Sequence, residues 1–147
     1  MTGPSPETTV TTEVDLRLVL GSDRALTVPA TFDYDPREPF AVAATFGTSE
    51  GDVRWIFSRE LLDEGLRRPT GEGDVAVWPS RSRGADIVCV SLSSPSGQAL
   101  LEADAGVMAD FLRRSYLAVP AGTEATLIDL DAELAALLST EGDPTGY

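Results

Sequence analysis

Alternating apolar and polar residues dominate the first half of the chain. In EVDLRLVL, Val14, Leu16, Leu18 and Leu20 fall on one face and Glu13, Asp15 and Arg17 on the other. That period predicts a half-buried strand, closed by Gly21-Ser22-Asp23. ALTVPATFDY repeats the pattern with Leu26, Val28, Ala30, Phe32 and Tyr34. Pro29 inside it predicts an edge position or a bulge, because proline has no N–H to give to a ladder. After the turn DPREP, the runs FAVAATF (40–46) and VRWIFS (53–58) read as two more strands joined by GTSEGD, with Val53, Trp55 and Phe57 facing one way. Ser58 is then placed to cap RELLDEGLRR, a short helix with Leu61, Leu62 and Leu66 as its buried stripe and Gly65 as its stop.

The pattern restarts after PTGEG. Residues 75–78 and 87–92 read as strands, SSPSG as a turn, and QALLEA as a short strand leading into a helix from about Asp104 to Leu117. On that helix Val107, Met108, Phe111 and Leu112 share the apolar face, while Asp104, Asp110, Arg113 and Arg114 are solvated. In VWPSRSRG, Pro79 is expected to end the ladder and Gly84 to permit a hairpin turn. A last amphipathic helix is expected in DLDAELAALL, capped by Asp129 and striped by Leu130, Leu134, Leu137 and Leu138. The order therefore predicts an α+β fold: two strand-rich units, each followed by a helix, plus a C-terminal helix. We expect a polar, disordered arm over residues 1–12, one domain over 13–139 and a flexible tail over 140–147.

Composition narrows the chemistry. The 147 residues carry 11 basic against 24 acidic side chains, a net charge of −13 that repels phosphate backbones unless arginines are concentrated locally. Every basic residue is Arg; the chain has no His, Lys or Asn. Absence of His removes imidazole-activated nucleophiles and imidazole metal ligands, and absence of Lys removes Schiff bases and phosphate-loop lysines. The single thiol, Cys89 in DIVCVSL, reads as a small buried hydrophobe. Paired carboxylates are the remaining catalytic option: Asp33 and Asp35, Glu60 and Glu64, Asp129 and Asp131. Each pair has a simpler explanation as turn former, helix cap or solvated face, so no catalytic, metal or cofactor-binding residues are assigned. No apolar run approaches the roughly 20 residues of a membrane span, and the N-terminus lacks the basic and apolar regions of a secretion signal, so a cytoplasmic location is expected.

In order along the chain, LRLVL, VPATFDYDPREPFAVAATF, VRWIFSRELLDEGLRRPTGEGDVAVWPSRS, VCVSLSSPSGQALLEA, FLRRS, VPAGTE and DLDAELAALL together closely resemble the SsgA-like family of sporulation and cell-division proteins. Within that family the chain looks most like the SsgB branch, and the match runs from about Thr12 to Leu138. The resemblance implies a non-enzymatic protein at the division septum that brings the tubulin-like GTPase FtsZ, or another division protein, to the septum site and promotes its polymerisation. It also implies a whirly-type fold of two four-strand-plus-helix units, assembled as a bell-shaped homotrimer. Only three strands of the second unit are clear in the sequence; a fourth is sought in ATLIDL or in a split of QALLEA. A whirly-type fold brings single-stranded nucleic-acid binding as the alternative, which the charge disfavours. The family supplies no motif-defined site. Arg67, Arg68, Trp78, Arg81 and Arg83 are the residues expected to meet an acidic protein partner.

Overall fold

The computed structural model describes residues 8–21, 23–125 and 136–137. Among the described residues, eight antiparallel strands and two helices follow one another in the order β1 (Val10–Val19), β2 (Ala25–Tyr34), β3 (Ala41–Thr48), β4 (Gly51–Ser58), α1 (Arg59–Gly65), β5 (Thr70–Glu72), β6 (Val75–Ser82), β7 (Ala85–Ser94), β8 (Gly97–Asp104), α2 (Ala105–Ala118). The α+β class and the repetition of four strands and a helix stand as expected. All eight strands join one sheet, ordered β4-β3-β2-β1-β8-β7-β6-β5, so two four-stranded meanders meet at β1 and β8. The outermost strands β4 and β5 both contact α1, which requires the sheet to curl until its two edges approach the same helix.

The inner face collects the alternating apolar residues. Leu16, Phe32, Tyr34, Val42, Val77, Val88, Leu101, Met108 and Phe111 are buried in one cluster, with the Phe32 and Phe111 rings edge to face at 6.0 Å. Helix α2 packs on β1, β7 and β8. Its cap is Asp104, whose Oδ1 accepts the Val107 N–H at 3.0 Å. Ser58 caps α1 in the same way, accepting from Leu61 N at 2.8 Å.

Four expectations need correction. The β1 ladder begins at Val10, opposite Tyr34, so residues 10–12 belong to the sheet and not to an arm. Leu20 lies beyond the strand end and is exposed. The fourth strand of the second unit is β5, within PTGEG and not in QALLEA; its three residues pair with 75–77 and are too short to show a period. Pro79 does not end β6, which pairs with β7 as far as Ser82↔Ala85. β5 stops opposite Val77, so Pro79 lies where β6 has become an edge and its missing N–H deprives no neighbour. Pro29 obeys the same rule, since β3 pairs with β2 only from Ala30 onward. The helix expected from Asp129 to Leu138 lies outside the described residues except for 136–137, as do ATLIDL beyond Ala125 and the tail.

Gly65 is the last residue of α1, as expected of a stop, and it has a second part as a contact. A Cβ there would sit 2.2 Å from Val77 Cγ1, so the glycine lets α1 press directly on β6. The hairpin turn expected at Gly84 is there: Arg83 and Gly84 have φ of 54° and 77°, the pair of positive values that a two-residue hairpin of matching twist demands.

Candidate functional site

The five residues expected to face a partner separate into two places. Arg67 and Arg68 follow the end of α1, where their charge suits the negative end of the helix, and they pair with Asp63 (3.3 Å) and Glu64 (2.6 Å) one turn back. Arg81 and Arg83 lie at the β6–β7 tip. Arg81 pairs with Asp86 across the hairpin at 3.5 Å and donates to Gly84 O at 3.1 Å. Arg83 occupies the turn itself and has no acidic partner among the described residues. The α1 end meets β6 at Val77, and six residues of strand, about 20 Å, separate that point from the tip. Trp78 sits between the two, half-buried on the outer face opposite Cys89, because Val77 before it points inward at α1. The Trp78–Cys89–Glu102–Arg17 row continues across the sheet, with an Arg17–Glu102 contact of 3.9 Å.

Cys89 is buried, and burial followed by the nearby Glu102 charge raises its thiol pKa, which keeps it an inert thiol. Asp33, Asp35 and Glu64 have structural partners. Asp33 accepts from the Thr11 hydroxyl at 2.7 Å. Asp35 is bound by the Arg37 backbone N–H and guanidinium, which hold its carboxyl below the ordinary range against a smaller effect of burial. Glu64 is engaged by Arg68, Glu60 is exposed, and Asp129 and Asp131 lie outside the described residues.

The most unusual polar constellation was not among the sequence expectations. Arg59, the first residue of α1, is 1% exposed and lies over the rings of Tyr34 (4.5 Å) and Tyr116 (4.1 Å). Its Nη1 donates to Ser115 O at 3.0 Å, and its Nη2 meets Glu124 Oε2 at 2.7 Å. Tyr116 Oη donates to Asp63 Oδ2, and Tyr34 Oη to Pro39 O. One guanidinium thus ties α1, α2, β2 and the segment after α2 together. Burial pushes both phenols up to about 12, aided at Tyr116 by Asp63 and opposed in both by the Arg59 charge. At Glu124 burial pushes upward, but the hydrogen bonds from Arg59 and Gly122 N outweigh it and leave the carboxyl below its ordinary range. The signal was present in the sequence: Arg59, Leu62 and Leu66 are spaced i, i+3, i+7, which puts the arginine on the apolar stripe.

No helix among the described residues is long and apolar enough to cross a membrane. The family described as Streptomyces sporulation and cell division protein, SsgA, matches residues 28–124. The sporulation-specific cell division protein SsgB of Streptomyces coelicolor is 56% identical over 133 residues, covering 90% of this chain and 97% of that protein. The SsgB of Frankia casuarinae is 50% identical, covering 88% and 91%. A solved structure of Streptomyces coelicolor SsgB, from work on mutations that correlate with longitudinal cell division during sporulation, superposes with a TM-score of 0.80 at 55% identity, covering 85% of this chain and 99% of that one. The SsgA-like sporulation-specific cell division protein of Thermobifida fusca gives a TM-score of 0.83 at 42% identity, covering 91% and 98%. Sequence and fold agree along nearly the whole length of these relatives, and the chain belongs to the SsgA family of sporulation and cell division proteins.

Proposed function

We propose that this chain is a non-enzymatic adaptor of sporulation-specific cell division, which recruits FtsZ to the septum site from the cytoplasmic side and promotes its polymerisation. The observation that carries the reading is the 56% identity to a sporulation-specific cell division SsgB over almost all of that protein's length. FtsZ as partner, and a bell-shaped, whirly-type homotrimer as the acting form, follow from the resemblance to the family. The surface suits a protein partner better than a nucleic acid: Glu13, Asp15, Asp33 and Asp52 occur on the outer face of the first meander, where phosphate would be repelled.

In this reading Arg81 and Arg83 at the hairpin tip form one contact, Arg67 and Arg68 a second, and Trp78 on the outer face between them a third. Purified protein mixed with FtsZ and GTP is expected to raise light scattering and to co-sediment with polymer. Changing Arg81 and Arg83 together to Glu should weaken co-sedimentation several-fold while leaving stability within about 0.5 kcal/mol, as for exposed surface changes generally. A folded double variant that co-sediments as before removes the tip from the interface, and absence of any co-sedimentation by the parent protein removes FtsZ as direct partner.

A further inference from the structure

The Arg59 cluster has a feature that structural anchoring leaves unexplained. Arg59 Nε is buried and finds no acceptor among the described residues. Glu124 engages the guanidinium through Oε2 alone, while its Oε1 accepts the Gly122 N–H at 2.9 Å. A carboxylate free of that local bond could take Nε and Nη2 together, the two-point geometry in which arginine holds carboxylates best. The guanidinium carbon lies over the rings of both Tyr34 and Tyr116, and with Nη1 and Nη2 engaged, Nε is the N–H left for a ligand. Arg59, Tyr116, Gly122 and Glu124 line a cleft of about 300 Å³ with the exposed ring of Phe40 at its lip.

We infer that Arg59 is a carboxylate receptor whose resident ligand is the chain's own Glu124, and that an acidic side chain of a protein partner exchanges with it. At the rim Asp63 and Glu64 are neutralised by Arg67 and Arg68, exposed Glu60 opposes an incoming carboxylate, and the exchange itself replaces one carboxylate by another. Displacement of Glu124 frees the segment that it pins to α1, so binding at this cleft is coupled to release of residues 119–125. Only the source of the carboxylate rests on the reading of the chain as a protein-binding adaptor; the receptor itself does not.

Chemical rescue tests the receptor without any division protein. Glu124→Ala empties the site, and the full chain carrying it should lose roughly 10 °C in Tm, the effect of leaving a buried charge unpaired in a domain of this size. Sodium acetate should restore at least half of that loss saturably, whereas sodium chloride at equal ionic strength should not. The parent protein should show no acetate-specific gain, and Arg59→Lys/Glu124→Ala should not be rescued. If Glu124→Ala does not fold, Glu124→Gln, which keeps the segment's shape, is titrated with acetate and followed by the near-ultraviolet circular dichroism of the two tyrosines. Equal effects of acetate and chloride overturn the proposal. Rescue by acetate, with no displacement of the 119–125 segment by a Glu-rich peptide in limited proteolysis of the parent, overturns the exchange. Either outcome is independent of whether FtsZ co-sediments.

Discussion

Helix α2 runs for 14 residues and buries Met108, Phe111 and Leu112; helix α1 runs for seven and buries Leu61 and Leu62 together with a glycine and an arginine. Both follow a four-stranded meander and both begin at a capping oxygen. They differ in how they are held. With nearly four turns, α2 presents an apolar stripe wide enough to pack on β1, β7 and β8 mainly by side-chain burial, to which Arg114 adds bonds to Thr11 O and Thr12 Oγ1 of β1. Two turns cannot present such a stripe, and α1 must also fill the gap between the sheet's two edges. It does so by backbone contact at Gly65 and by a buried guanidinium that reaches α2 and the segment beyond it. A short helix at a seam depends on specific contacts, whereas a long one over a sheet depends on area.

Breaking each contact in turn sharpens this contrast. Arg59→Ala should be the most damaging change on α1, costing about 3–5 kcal/mol because Glu124 is left near an emptied cavity, and urea melts should show a lowered midpoint. Phe111→Ala on α2 should cost a similar amount, about 3–5 kcal/mol, through lost burial. The two differ in what recovers them, since only the Arg59 loss should shrink when Glu124 is also removed.

Gly65→Ala comes next, at about 1–3 kcal/mol from overpacking against Val77. Val77→Ala made together with it should recover part of the loss. Double-mutant thermal melts that add without coupling would show that α1 does not rest on β6 as described.

The tyrosines give a pH signature for the α1 seam. Both native phenols sit near 12 against an ordinary 10, so the neutral rings favour the folded state. Their contribution is full below pH 10 and is lost as pH rises towards 12. Tyrosinate absorbance should therefore show delayed ionisation of these two rings, coinciding with alkaline unfolding. Glu124 acts at the other end with the opposite sign: its lowered pKa stabilises at neutral pH, and that part is lost as acid protonates it below its ordinary 4.5. The smallest effects belong to the caps. Ser58→Ala and Asp104→Ala should each cost about 1 kcal/mol, and equal losses in melts would show that capping is where the two helices are alike.

Much of this was legible before any coordinates. Period-2 alternation in β1 and β2 and the spacing of Met108, Phe111 and Leu112 locate strands and helix, because one-sided burial imposes those periods on the sequence. Ser58 announces α1 by its chemistry. The five expected partner residues are legible only as types, since charge and aromaticity in a sequence carry no distance; the fold sends two to the end of α1 and two to a tip about 20 Å away. Arg59 was missed because a charged residue at a helix start ordinarily faces water.

The local elements, the acidic field and the family can be read from the order of residues, since each depends on residues near one another or on the chain as a whole. Only the meeting of distant segments makes β5 a strand, puts Pro29 and Pro79 beside places where a neighbour has stopped pairing, and makes Gly65 a contact as well as a stop. It alone decided that Arg59 and Glu124, 65 residues apart, share one bond. These features depend on which distant segments meet, and no short-range period encodes that.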